Sequence, residues 1–169
     1  MNTRIIASLL VVSLIALGTV SCGIYSFRDV SIPPEVKTIK INYIQNRAQY
    51  INPQLSPKLT DAFTKKVIQQ TKLRRIEDAN ADYVVDSEIT NYMITTSGVS
   101  QNEAATNRIS VGMHITLYDN FKNDVKEYDI TRDFDFPASQ SFTQAEARLM
   151  DEMIKTISDE IFNKIFSNW

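Results

Sequence analysis

The residue best placed to do chemistry in this sequence of 169 residues is its only cysteine, Cys22. It follows a basic start at Arg4, an apolar run from Ile5 to Leu17, and the short stretch Gly18-Thr19-Val20-Ser21. That order is the pattern of a secretory signal segment ending in a small-residue cleavage site. The chemistry it predicts is cleavage before Cys22 and acylation of the thiol, which would tether the mature chain to a membrane. An ordinary signal peptide followed by a spare thiol is the alternative, against which stands the rarity of an unpaired cysteine in a secreted chain. A retained transmembrane anchor is a poorer fit, because Ile5 to Val20 is 16 residues and a spanning helix needs ~20. One acyl chain of about fourteen carbons anchors only marginally, whereas two or more hold stably. The expected anchor is therefore the several-chain, palmitate-type modification of a bacterial lipoprotein.

The other candidate groups fail the tests that catalysis would set. A serine or cysteine nucleophile needs an activating base, and the only histidine, His114, falls on the polar parity of a predicted strand with no Gly-x-Ser-x-Gly sequence anywhere. One histidine and one cysteine cannot build a familiar zinc site, and neither a Gly-x-Gly-x-x-Gly nor a Walker loop is present to hold a cofactor. The acids Asp124, Glu127, Asp129, Asp133 and Asp135 have a period of about two, with Glu127/Asp129 and Asp133/Asp135 two residues apart. On a strand that spacing sets carboxylates ~7 Å apart along one face, which suits a solvated surface better than a shared cation. A formal charge of −2 gives no pull toward nucleic acid. We expect neither an enzyme nor a metalloprotein.

Arg132 is more informative, because it falls on the parity of Ile130 and Phe134 where an apolar residue belongs. Two readings stand. The guanidinium snorkels past the sheet edge or guards it against mispairing, or Arg132, with Arg108 and Lys126, grips phosphate or carboxylate groups of an amphiphile. Lys72, Arg74 and Arg75 likewise admit two readings: complement to the C-terminal end of a helix dipole, or contact with anionic lipid.

The elements that must position these residues follow from periodicity. Val36 to Ile44 alternates as a half-buried strand. Ser56-Pro57 predicts a helix start, and Leu59, Ala62, Phe63 and Val67 supply the apolar face of a helix ending near Lys72. Asp82 to Thr95 reads as a strand with Val85, Ile89 and Met93 on one face, and Ser97 to Asn107 as its hairpin loop. Ile109, Val111, Met113, Ile115 and Leu117 alternate against Arg108, Ser110, Gly112, His114 and Thr116, the clearest strand of all. A turn at Asp119-Asn120 and Asn123-Asp124 leads to Val125–Phe136, which Pro137 ends. Thr143 and Glu146 form a capping box for a helix with Leu149, Met153, Ile157, Ile161 and Ile165 in a stripe. The order strand, helix, strand, strand, strand, helix predicts an α+β two-layer sandwich: a four-stranded mixed sheet, both helices on one face, the other face polar and open. Residues 1–21 are the expected signal peptide, 22–35 an extended lipidated arm interrupted at Pro33-Pro34, and 36–169 one domain. With a single cysteine there is no internal disulfide, so packing alone must hold that domain.

Taken together, Cys22-Gly23-Ile24-Tyr25-Ser26-Phe27, Ile32-Pro33-Pro34, the helix carrying Leu55, Leu59 and Phe63, and Arg132-Asp133-Phe134-Asp135-Phe136 resemble the LptE-like lipopolysaccharide-assembly lipoproteins in the form found in Bacteroidetes. Thr19 stands where the lipidation motif usually has Leu. The resemblance implies the same sandwich fold and a non-enzymatic role at the outer membrane, on its periplasmic side. Such a protein plugs and stabilises a large β-barrel translocon (LptD-like) and binds lipopolysaccharide. The resemblance places lipopolysaccharide contacts at positions matching Arg108 and Arg132. An accessory lipoprotein of an ABC-type lipid transporter or secretion complex is the alternative partner class, and a lipid-anchored hydrolase relying on His114 the poorest.

Overall fold

The stretches of period two fold as strands, and the four-residue stripes fold as helices. The computed structural model describes residues 32–96 and 106–167. In chain order these hold β1 (Thr38–Ile41), β2 (Gln45–Asn46), α1 (Leu55–Gln70), β3 (Arg74–Arg75), β4 (Tyr83–Thr96), β5 (Thr106–Asp119), β6 (Asp124–Pro137) and α2 (Phe142–Phe166). Cys22, the signal segment and the arm as far as residue 31 lie outside the described residues, as do 97–105 of the hairpin loop.

The sheet runs β3-β1-β4-β5-β6, with β2 also on β4. β1 is parallel to β4 across the α1 crossover, and β4, β5 and β6 form the expected antiparallel meander. The architecture is the α+β sandwich anticipated, with six strands rather than four. Both extra strands are two residues long, too short to leave a periodic signature. One of them changes the role of the basic cluster. α1 ends at Gln70 with no cation in its last turn, while Arg74 and Arg75 form the edge strand parallel to β1, and Arg75 pairs with Glu77 at 2.7 Å.

One core unites the layers: Leu55, Leu59, Phe63 and Val67 of α1, Leu149, Met153, Ile157 and Ile161 of α2, and the inward residues of β1, β4, β5 and β6. Lys66 Nζ reaches Asp159 Oδ1 at 2.8 Å and lies 5.3 Å from the Phe162 ring, joining the two helices. At the opposite edge Asp82 Oδ2 accepts from Lys37 N, Thr38 N and Thr38 Oγ1, each at 2.8 Å, and so fixes the start of β1 against β4.

A β-bulge decides which residues of β4 face the core. Ile89 pairs with Met113 but Asn91 with Gly112, so Thr90 is an extra residue. An extra residue reverses the alternation beyond it. Met93, expected inward with Val85 and Ile89, is therefore 49% exposed, and Tyr92 takes the core position at 3%. Gly112 suits the position opposite the bulge, because a Cβ there would sit 3.1 Å from the Asn91 Cβ, a tight approach that a larger side chain would crowd further.

The helix starts also differ from expectation. Ser141 Oγ, not Thr143, accepts from Gln144 N and caps α2. α1 begins at Leu55, and Asn52 Oδ1 takes the Gln54 amide at 2.8 Å, leaving Ser56 Oγ inside the first turn, buried and without a hydrogen bond.

Candidate functional site

The outer face of β4, β5 and β6 is the open surface, and its charges answer one another across strands. Glu127, Asp129, Asp133 and Asp135 project from β6 on one parity. Arg108, in register with Asp135, forks onto both of its oxygens at 2.6 and 3.0 Å and reaches Asp133 at 3.3 Å. The hydrogen bond from Arg108 holds the Asp135 carboxyl below the usual carboxylate range, and the same contact pushes the guanidinium up. His114 Nδ1 lies 2.8 Å from Asp129 Oδ1, and that bond raises the imidazole pKa above its ordinary value. Arg47 and Glu88 pair at 2.7 Å.

The three cations singled out for anion binding do not converge. Arg108 stands on the open face, whereas Arg132 shares the inward parity of Ile130 and Phe134, at the β6 edge, and pairs with Glu160 of α2. Lys126 is on the same parity as Arg132, opposite Leu117, but six residues along the strand is ~20 Å. Arg108 and Arg132 therefore meet any anion from opposite sides of the sheet, each already engaged by a carboxylate, and Lys126 is exposed with no ion pair among the described residues.

The acids form the solvated ladder expected of them, and among the described residues no group of three or more His, Cys, Asp or Glu is arranged to hold a metal ion. No described helix is long and apolar enough to cross a membrane.

Two features escaped the sequence reading. Glu146, 7% exposed, is an acceptor inside the helix layer, taking Tyr92 Oη at 2.8 Å and Tyr50 Oη at 3.1 Å. The rings of Tyr50, Tyr92 and Phe142 pack around it with centroids 5.2 to 6.5 Å apart. Burial, then the bond to Glu146, pushes the Tyr92 hydroxyl well above its ordinary pKa. The second feature is a polar groove of about 580 Å³ where the chain passes from β1 to β2, lined by Asn42, Tyr43, Arg47, Asp86, Glu88 and His114 among others. The sole sequence trace of the first was Glu146 among apolar neighbours. The second joins segments more than 25 residues apart, which periodicity cannot connect.

Comparison with known proteins gives a family match over residues 36–165, to the lipopolysaccharide-assembly model LptE. Among solved structures, the neuraminyllactose-binding hemagglutinin homolog of Helicobacter pylori superposes with a TM-score of 0.58 at 10% identity, covering 83% of this chain and 88% of that one. A minor lipoprotein of Acinetobacter baumannii gives 0.48 at 11%, covering 78% and 97%. Lipoprotein GNA1162 of Neisseria meningitidis gives 0.41 at 11%, covering 75% and 99%. No curated protein matches the sequence.

Proposed function

The chain belongs to the lipopolysaccharide-assembly family, LptE, and from that footing we propose that it is an outer-membrane lipoprotein, acylated at Cys22 after loss of residues 1–21, that plugs and stabilises a large β-barrel lipopolysaccharide translocon. Residues 22–35 are the tether and 36–169 the working domain. A role in lipopolysaccharide assembly is common to the family, and no catalytic step is part of the proposal. Placement in a barrel lumen is supported by one observation above others: the open sheet face is largely polar from β4 to β6, with Arg108 paired across strands to Asp133 and Asp135 and His114 hydrogen-bonded to Asp129. A barrel lumen is polar, so a plug must offer it a hydrophilic surface, and paired charges lose less on leaving bulk water than isolated ones.

In this reading Arg108, Arg132 and Lys126 are the candidate contacts for lipopolysaccharide phosphates. Arg108 and Arg132 are charge-compensated in the free protein, so anion binding requires each to exchange a carboxylate for a phosphate. That makes them conditional contacts and Lys126 the readily available one. Purification from detergent-solubilised outer membrane tests the proposal. A stable one-to-one complex with a large barrel protein is expected, and recovery with an inner-membrane ATPase, barrel absent, would assign the chain instead to an ABC-type transporter. Loss of lipopolysaccharide binding in Lys126→Gln combined with Arg132→Gln is the expected behaviour of the candidate contacts, and unchanged binding removes them from the site.

A further inference from the structure

We propose that the groove between β1, β2 and β4 is a saccharide site that takes a neutral hexose unit. It lies on the open face toward the opposite sheet edge from β6, and the proposal goes beyond the barrel role, because free-sugar binding by the isolated chain is read without a barrel partner. Its wall exists because the chain leaves the sheet between Ile41 and Gln45 and then rejoins it. Asn42 N is held on Val85 O at 3.0 Å and Arg47 N on Ile89 O at 2.9 Å, so the intervening Tyr43 is carried off the sheet and left 57% exposed beside the cavity. The cavity, about 580 Å³, is within the ordinary range for small-ligand sites, ~300–1,000 Å³.

The lining matches a polyol in three respects. First, each hydroxyl of a sugar both donates and accepts, so a site needs fixed donors and fixed acceptors together. Asn42 Nδ2 donates to Asp86 Oδ1 at 2.5 Å, which orients both groups and leaves the amide oxygen and the second carboxylate oxygen for a ligand. Arg47 is held by Glu88 at 2.7 Å and by Gln45 Oε1 at 3.3 Å. His114 is held through Nδ1 by Asp129, with Nε2 3.5 Å from the Thr116 hydroxyl, another lining group. Second, an exposed aromatic ring offers an apolar face to the C–H face of a pyranose, and the hydroxyl of Tyr43 keeps that ring wettable when empty. Third, the charges disfavour the simpler ligands. Asp86, which has no ion pair among the described residues, and Glu88 repel a free phosphate, and Arg47, held against Glu88, stands against a metal cation, whereas a neutral hydroxylated ligand can donate to the carboxylates and accept from the guanidinium.

The test uses the full chain purified in a polyoxyethylene ether detergent, since a glycoside detergent would itself be a ligand. Saturation-transfer NMR is recorded with maltotriose and lactose as free sugars, with decyl maltoside below its micelle concentration as a lipid-borne sugar, and with inorganic phosphate as competitor. Saturable binding of maltotriose or lactose, undisturbed by equimolar phosphate, is expected. Tyr43→Ala and Asp86→Asn should each weaken it about tenfold, ~1.4 kcal/mol. Tyr43→Trp should retain it, and Lys65→Gln on the helix layer should leave it unchanged. Tyr43 is exposed, so Tyr43→Ala should keep the parent circular dichroism spectrum, and Tyr43→Trp keeps the ring test open if it does not. The proposal is overturned by the absence of saccharide binding up to ~10 mM, a free energy below ~3 kcal/mol, by displacement with phosphate, or by binding indifferent to both Tyr43→Ala and Asp86→Asn. Decyl maltoside binding without maltotriose binding would assign the contact to the acyl chain and equally overturn it.

Discussion

Tyr92→Phe removes one atom from the core, and its cost should exceed what an ordinary hydroxyl deletion would cause. Tyr92 is 3% exposed and donates at 2.8 Å to Glu146, itself 7% exposed. Without that donor the carboxylate keeps only Tyr50, whose ring is 41% exposed and whose bond is longer, 3.1 Å. Hydrogen bonds to a charged group contribute about 1.5–3 kcal/mol, and a buried group left unsatisfied costs ~1–3 kcal/mol. We therefore expect Tyr92→Phe to destabilise by about 2 kcal/mol. For a domain of this size each kcal/mol moves Tm by about 2–4 °C, so the midpoint should fall by ~4–8 °C. Glu146→Leu leaves the Tyr92 hydroxyl without its acceptor and should cost a similar amount, while the double variant should cost less than the two combined, with a coupling of at least ~1 kcal/mol. Urea titrations of the four proteins, followed by far-ultraviolet circular dichroism, give every leg of that cycle. A Tyr92→Phe loss under ~0.5 kcal/mol with no coupling would refute the reasoning, and with it the claim that the bulge at Thr90 turns Tyr92 inward to meet Glu146.

Three further outcomes follow from the same geometry. His114 should titrate above its ordinary value and return toward it in Asp129→Asn, read from its imidazole proton shifts. Because its folded pKa is raised, its stabilising contribution is fully present below about pH 6.5 and fades as pH rises through the folded value, so an increase in stability across that interval contradicts the pairing. Asp82→Ala should cost ~1–3 kcal/mol, since Lys37 N, Thr38 N and Thr38 Oγ1 lose a shared charged acceptor. The wild-type advantage is present above the ordinary carboxylate pKa and is lost as pH falls through the depressed folded value, so a gap between the two proteins that widens toward low pH would refute it. Gly112→Val should cost about 1–3 kcal/mol through crowding at Asn91, and an unaffected urea midpoint would show that the strands separate there at no cost.

The long strands and both helices were legible because each buries one face, so that burial writes a period into the residue types. Ile109 to Leu117 and the stripe from Leu149 to Ile165 are the cleanest cases. Parallel pairing of β1 with β4 and the meander followed from connection lengths. What was illegible depends on a neighbour. The Thr90 bulge left no mark within β4, and its only trace was Gly112 on the facing strand. Two overlapping capping boxes, Ser141 with Gln144 and Thr143 with Glu146, satisfy the same pattern; the core settles the choice, because Glu146 is drawn to Tyr92. The parity of Arg132 was correctly anomalous, yet its partner, Glu160, belongs to the other layer. Arg108, Arg132 and Lys126 looked like a set because they are close in sequence or strand order. Alternation across the sheet puts Arg108 on the opposite face from the other two, and six residues of strand hold Lys126 ~20 Å from Arg132.

Photocrosslinking in intact cells addresses the proposed role most directly. A crosslinking amino acid placed at Thr131 or Ser110, on the open face of the sheet, should capture the large outer-membrane barrel protein, while the same group at Arg148 or Lys155 on the exposed side of α2 should capture it less. Capture of an inner-membrane ATPase complex from the open face, with no barrel adduct from any of the four positions, would contradict the plug.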